Sequence, residues 1–251
     1  MRTTFLFLFL YISSAPAAAQ TFETALARGD SAQAALNIDA ALQHYRQAER
    51  IAPARGEVLW RLSQLHTEMA AGESDEVRAK KLVERALRYA DRADAAVPRS
   101  AMVQVSYAIA YGQLSLIASN DDKIDLSRKV RQYALRALEL DAENSVALLV
   151  LGIWHREVAS LNWALKLLLD AVYGGLPDAS LEESHRLLTK AVHLQPGQIM
   201  PRVELAKTLI AMDREGEARA QLRKAVVMPL GALGDDRRIL EARELLEDLK
   251  N

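Results

Sequence analysis

The 251-residue sequence contains no cysteine, few glycines (11) and few prolines (7). Without thiols, the chain cannot form disulfides, thiolate metal sites or cysteine nucleophiles. Because half of the residues are hydrophobic and few interrupt a helix, the composition favours a helical globular protein. A basic surplus is also missing, since 32 Lys and Arg face 33 Asp and Glu. Nucleic-acid binders need such a surplus to neutralise phosphates, so we expect no nucleic-acid partner.

The N-terminus has the three parts of a secretory signal. Arg2 precedes an apolar run from Phe5 to Ile12, and small residues follow as far as Ala19. The pattern predicts a signal peptide over 1–19, cleaved after Ala19, and a periplasmic or secreted protein. The run is shorter than the roughly 20 apolar residues of a membrane-spanning helix, and no later stretch is long enough. We therefore expect no integral membrane span after signal removal; an uncleaved anchor is the alternative.

Five segments repeat one pattern of small residues. In each, a small residue or Val is followed seven positions later by Ala, and in four of them Pro comes shortly afterwards. Seven residues make about two helical turns, so both residues lie on one face and let a neighbouring helix approach closely. Proline then ends the helix. The pairs are Ala41 and Ala48, Ala86 and Ala93, Val130 and Ala137, Ser184 and Ala191, and Ala218 and Ala225.

A second set of helices is predicted between these segments, at 57–71, 101–119, 146–159 and 200–212. At matching places they carry a large residue followed by a small one: Leu62-Ser63, Val105-Ser106, Leu151-Gly152 and Leu205-Ala206. Each unit is then a helical hairpin that buries its apolar face only by stacking on its neighbours. The alternative is an unrelated helical bundle with chance alanine spacing.

The pattern resembles the tetratricopeptide repeat, a helical hairpin of about 34 residues with small residues at its interhelical contacts. Ala191 and Ala225 are spaced by that unit. The resemblance implies an all-α, tetratricopeptide-like right-handed solenoid of about five helical hairpins. We assign 20–230 to this repeat domain, with an insert at 160–180 that contains an extra helix. A capping helix over 231–251 would cover the end of the stack.

The region 57–229 also resembles the regulator of microtubule dynamics protein family, a group of tetratricopeptide-like proteins. Weaker matches are Leu59 to Leu62, Tyr107 to Ile109, Lys123-Ile124, Leu126-Ser127 and Ala137 to Asp141. The most specific matches are Leu151 to Trp154, Glu157 to Ala159, Leu161-x-Trp163 and Pro177-x-Ala179-Ser180 with Glu183. This resemblance implies a repeat protein that acts by contacts. Microtubule association belongs to eukaryotic members, and export would separate this chain from tubulin.

No catalytic motif is present. The five histidines lack zinc-site spacing, and neither a nucleophile elbow nor a phosphate-binding loop occurs. We therefore predict no catalytic residue, no metal site and no cofactor, and we expect that the protein is not an enzyme. Two carboxylates facing each other across a cleft leave no sequence signature, so an envelope hydrolase or carbohydrate binder remains an alternative.

The first helices of stacked hairpins line a concave groove, where aromatic and Arg side chains are effective anchors. The repeat register predicts a binding site for a protein or peptide in this groove. The candidate side chains that form the site are those of Trp60, Gln64, Tyr107, Tyr111, Arg156 and Lys207. Leu149, Ile153 and Val203 lie in the same register; these three and Trp60 are equally explained by packing between repeats. The first hypothesis is thus a non-enzymatic envelope scaffold, and a filament-associated protein is the second. The oligomeric state stays open.

Overall fold

A computed structural model describes residues 17–249, so most of the predicted signal peptide lies outside the described residues. Within 17–249 the regular secondary structure consists of helices, which confirms the predicted all-α class. The helices are α1 (Ala17–Ala34), α2 (Ile38–Ile51), α3 (Gly56–Gly72), α4 (Glu76–Ala96), α5 (Ala101–Leu116), α6 (Asn120–Leu140), α7 (Ser145–Ala159), α8 (Trp163–Tyr173), α9 (Leu181–Leu194), α10 (Ile199–Ala211), α11 (Glu215–Ala225) and α12 (Asp235–Asp248).

Ten of these helices form five stacked hairpins. The pairs are α1 with α2, α3 with α4, α5 with α6, α7 with α9, and α10 with α11. Each hairpin after the first packs its first helix against the second helix of the hairpin before it. The stack therefore has a first layer (α1, α3, α5, α7 and α10) and a second layer (α2, α4, α6, α9 and α11). The predicted solenoid of five hairpins is confirmed, and α8 is the extra helix of the insert.

Capping residues and prolines fix the helix ends. The Asn144 side chain accepts the Ala147 N–H at 3.0 Å, and Ser180 Oγ accepts the Glu183 N–H at 3.1 Å, so both satisfy otherwise unpaired donors at helix starts. Several second-layer helices end two residues before a proline, which cannot continue a helix. These prolines are Pro53, Pro98 and Pro196.

The repeated small residues lie where helices touch. The alanines of the five pairs are fully buried, and Ser184 is equally buried in α9. Ser184 Oγ donates to the backbone carbonyl of Gly152 in α7 at 2.7 Å and lies 2.9 Å from Thr208 Oγ1 in α10. Small side chains at these contacts let the helices approach closely enough for side chain–backbone hydrogen bonds. The small-residue pattern thus marks the contacts that hold the hairpins together.

The C-terminal segment joins the last hairpin to the beginning of the solenoid. Helix α12 buries Ala242 against the last hairpin, as expected of a cap. Its first turn also reaches the second hairpin, where Arg237 Nη2 donates to the backbone carbonyl of Ala71 at 3.1 Å. The preceding residues Gly231 to Leu233 line a cleft together with Asp30 and Glu68. The C-terminal segment therefore links helices that are far apart in sequence.

Asp235 organises the link between the C-terminal segment and the beginning of the solenoid. We expect that replacing Asp235 releases this link. The side chain is 2% exposed, its Oδ2 accepts the N–H groups of Gly231 and Ala232 at 3.0 and 2.8 Å, and its Oδ1 pairs with Arg238 at 3.0 Å. We expect Asp235→Ala to lower the free energy of unfolding by about 2 kcal/mol, since hydrogen bonds to a charged group are strong. Hydrogen exchange should accelerate at 231–238. The exposed Asp236→Ala is the matched control, and equal exchange in both variants would contradict this role.

Candidate functional site

The concave surface is the face of the first-layer helices that points away from the second layer. In α5, Tyr107 points the other way: its hydroxyl donates to Asp91 Oδ1 of α4 at 2.7 Å, and its ring stacks on Tyr133 of α6 at 4.5 Å. Ile109 lies about 200° further around the helix and is half-buried. The concave surface of α5 is therefore formed by Ile109 and, two turns earlier, Met102.

The structure corrects the register predicted for Tyr107 and Tyr111. Tyr107 is only 6% exposed, and the Tyr111 ring lies 5.6 Å from Tyr133, so both rings pack between the layers. Burial, followed by the hydrogen bond to Asp91, raises the pKa of Tyr107 above its ordinary value. The physical reason for the error is that Ser106 marks the contact between first-layer helices, and the next residue is rotated by about 100° toward the second layer.

In α3, Trp60 and Gln64 lie one turn apart and are both half-buried. The Arg61 guanidinium lies 4.2 Å from the Trp60 ring centre, a cation–π contact. Arg61 also forms two hydrogen bonds to the Asp30 carboxylate of α1, at 2.6 and 3.0 Å. Gln64 Nε2 donates to Ser106 Oγ of α5 at 3.3 Å. Arg61 thus holds the Trp60 ring through the cation–π contact and is itself fixed by Asp30, while the Gln64–Ser106 hydrogen bond links α3 to α5.

Arg156 and Lys207 are brought together by a residue that sequence reasoning missed, Glu204. Arg156 Nη1 lies 2.7 Å from Glu204 Oε2, and Lys207 Nζ lies 3.0 Å from Glu204 Oε1. Lys207 also pairs with Glu241 of α12. Burial alone would raise the pKa of the Glu204 carboxyl, but the two cations outweigh burial and hold that pKa below its usual value. Arg156 thus forms a buried structural ion pair with Glu204, whereas Lys207 remains partly exposed.

Sequence reasoning also missed most of the apolar side chains on the concave surface. In α7, Gly152 and Trp154 face the second-layer helices, which leaves Ile153 on the opposite side. We define the concave strip as the half-buried apolar side chains of the first-layer helices on this side: Trp60, Met102, Ile109, Val150, Ile153 and Met200. Helical periodicity, applied away from the small-residue contacts, would have identified them. A strip of this kind suits an apolar segment of a partner.

The described part of the chain contains neither a candidate metal-ion site nor a candidate membrane-spanning helix. Within 17–249, no group of three His, Asp or Glu side chains is arranged to hold a metal ion. In the same range, no helix combines the length and apolar character needed to cross a membrane.

Stacked hairpins with small residues at their contacts and a concave first layer define a tetratricopeptide-like repeat protein. A solved structure has the same architecture: the tetratricopeptide protein TTC0263 from Thermus thermophilus. It matches with a TM-score of 0.62 and 20% sequence identity, and the match covers 91% of this chain and 98% of that one. At this identity the likeness concerns the fold.

The chain belongs to the family described as regulator of microtubule dynamics protein 1-3, whose sequence model matches residues 24–250. Regulator of microtubule dynamics protein 3 from Mus musculus is 27% identical over 179 residues, which are 70% of this chain and 37% of that protein. Regulator of microtubule dynamics protein 1 from Mus musculus is 26% identical over 196 residues, 77% of this chain and 64% of that protein. The resemblance seen in the sequence is confirmed. The chain spans less than two thirds of the length of either relative.

Proposed function

We propose that the protein is a non-enzymatic scaffold that binds a protein or peptide partner on its concave surface. The observation that carries this proposal is the concave strip, six half-buried apolar side chains distributed over four first-layer helices. Charged residues flank it, among them Glu157 and Lys207. A partner segment with an apolar face would remove the strip from water, and the charges would orient it.

The proposal predicts that charge introduced into the strip abolishes partner binding. We expect the double variant Ile109→Asp/Val150→Asp to reduce the co-purified amount of each specific partner at least tenfold, because a carboxylate would face the apolar segment. The measurement is quantitative mass spectrometry of proteins that co-purify with the tagged full chain. Gln132→Asp on the exposed second-layer face is the matched control. Unchanged partners in the double variant, with the fold verified by circular dichroism, would contradict the proposal.

We also propose that the chain is exported and that the signal peptide is cleaved after Ala19. The support is the sequence pattern of Arg2, an apolar run and small residues. N-terminal sequencing of the protein recovered from cell fractions tests this step. A chain that begins at Gln20 in the envelope or medium is expected, and an intact Met1 in the cytoplasm would contradict it.

Filament association is the second candidate function, and it is favoured by the family, whose named relatives are regulators of microtubule dynamics. Co-sedimentation of the full chain with polymerised tubulin tests it. Saturable binding that Ile109→Asp weakens would assign the concave strip to a filament. An absence of binding would favour the envelope scaffold.

A further inference from the structure

A cleft lies between α9 and α11 of the second layer, away from the concave strip. Its volume is about 480 Å³, and the side chains of Leu205 and Leu209 from α10 line it beneath the two helices. This volume lies within the roughly 300–1,000 Å³ range of small-ligand pockets. The two second-layer helices thus leave a space large enough for a ligand group.

The charges lining this cleft are unbalanced. Three cationic side chains face it, Arg202, Arg214 and Lys224, whereas Glu217 is the one carboxylate among its described lining residues. Arg214 and Glu217 neutralise each other through a contact of 2.7 Å between Nε and Oε1. The excess positive charge therefore belongs to Arg202 and to the exposed Lys224.

The hydrogen bonds of Arg202 leave its charge without an anionic partner. Its Nη1 donates to Gln221 Oε1 at 3.2 Å and its Nη2 donates to the Pro196 carbonyl at 2.9 Å, so both acceptors are neutral. Its Nε is buried and has no acceptor within the described residues, and the same holds for Thr189 Oγ1, which lines the same cleft. An unsatisfied buried donor is unfavourable, and an acceptor placed beside it would restore the missing hydrogen bond.

A histidine also lines the cleft, and burial is the main cause of its pKa shift. Burial lowers the pKa of His185, and the neighbouring Arg214 lowers it further, although Glu217 opposes this effect. A positive charge on His185 is therefore disfavoured in the cleft.

We infer that the cleft between α9 and α11 binds an anionic group, a carboxylate or a phosphate, held by Arg202 and Lys224. Guanidinium groups recognise both anions through paired hydrogen bonds, and the Lys224 ammonium adds a mobile point charge. The Thr189 hydroxyl supplies a further polar group at the same place. The anion belongs either to a small phosphate-bearing molecule or to an acidic side chain of a bound peptide. Both sources share the same recognition chemistry.

Titrations of the full chain followed by amide chemical shifts test this site, with inorganic phosphate as one probe and a hexaglutamate peptide as the other. We expect saturable shifts in α9 and α11, and about tenfold weaker binding in Lys224→Gln and in Arg202→Gln, since each variant removes one charge-assisted contact to the anion. Lys224→Gln keeps the test valid if Arg202→Gln destabilises the fold. The matched control is Arg223→Gln, an exposed neighbour outside the cleft with the same change in charge.

The outcomes separate the possibilities. Binding that is lost in Lys224→Gln and kept in Arg223→Gln supports the site, and the tighter of the two probes identifies the source of the anion. Equal weakening in Arg223→Gln would show only a general field effect and would overturn the proposal. An absence of saturable shifts with either probe at concentrations up to about 10 mM would overturn it as well.

Discussion

Replacing Gly152 with valine is expected to lower the free energy of unfolding by about 3 kcal/mol. A Cβ atom at this position would lie 2.6 Å from Cγ and 2.9 Å from Cδ2 of Leu188, and both are distances that real Cβ atoms essentially never show. Leu188 is fully buried in α9, so it has no free space into which it can move. The added side chain would therefore push α7 and α9 apart and break the Ser184–Gly152 hydrogen bond.

Urea unfolding monitored by circular dichroism measures this effect as a shift of the transition midpoint. Gly112 is the matched control, because it also lies within a first-layer helix but its nearest neighbour, Val130 Cγ2, is 4.0 Å from an ideal Cβ. Gly112→Ala should stabilise the protein by about 0.5–1 kcal/mol, since alanine loses less entropy in a helix. A Gly152→Val variant as stable as the wild type would show that the α7–α9 contact is looser than described.

The second large effect is expected for Arg156→Met, which leaves Glu204 buried beside Lys207 alone. Removing one partner of a buried ion pair costs about 3–5 kcal/mol, because the remaining charge is poorly compensated. Arg219→Met is the matched control: its contact with Glu215 is as short, at 2.6 Å, but the side chains are 35% and 55% exposed. Exposed pairs contribute about 0–1 kcal/mol. Equal losses in thermal or urea unfolding of the two variants would contradict the buried role of Arg156.

The pH dependence of this loss identifies its cause. In the wild type the pKa of Glu204 is lowered, so its contribution to stability is present above the unfolded-state pKa and is lost as the pH falls through the folded-state value. In Arg156→Met the pKa of Glu204 should rise, because burial then meets less opposition from positive charge. The difference in stability between wild type and variant should therefore be largest at neutral pH and shrink on acidification. A difference that does not vary with pH would indicate lost packing instead.

The fold could be predicted because its signals are local. Pairs such as Ala86 and Ala93 lie two helical turns apart, and the prolines at the helix ends act within a few residues. The contact between Arg237 and the Ala71 carbonyl joins positions 166 residues apart, and no local pattern reports it. Such a contact depends on the summed curvature of the hairpins between α3 and α12.

The candidate site could be predicted only in part. Trp60 and Gln64 are half-buried, whereas Tyr107 faces the second layer, because a shift of one helical position rotates a side chain by about 100°. The repeat register predicts Arg156 and Lys207 as separate anchors, yet both contact Glu204. The sequence spacing places Glu204 one turn before Lys207 but does not show that Arg156 of another helix meets them.

In-cell photo-crosslinking most directly tests whether the concave surface binds a partner. A photoreactive residue would replace Ile109 in the concave strip of the full chain, and a second variant would carry it at Gln132 on the exposed second-layer face. A discrete protein adduct from Ile109 that Val150→Asp abolishes, with none from Gln132, is the expected result. Adducts from Gln132 but not from Ile109, or none from either position, would contradict a concave binding surface.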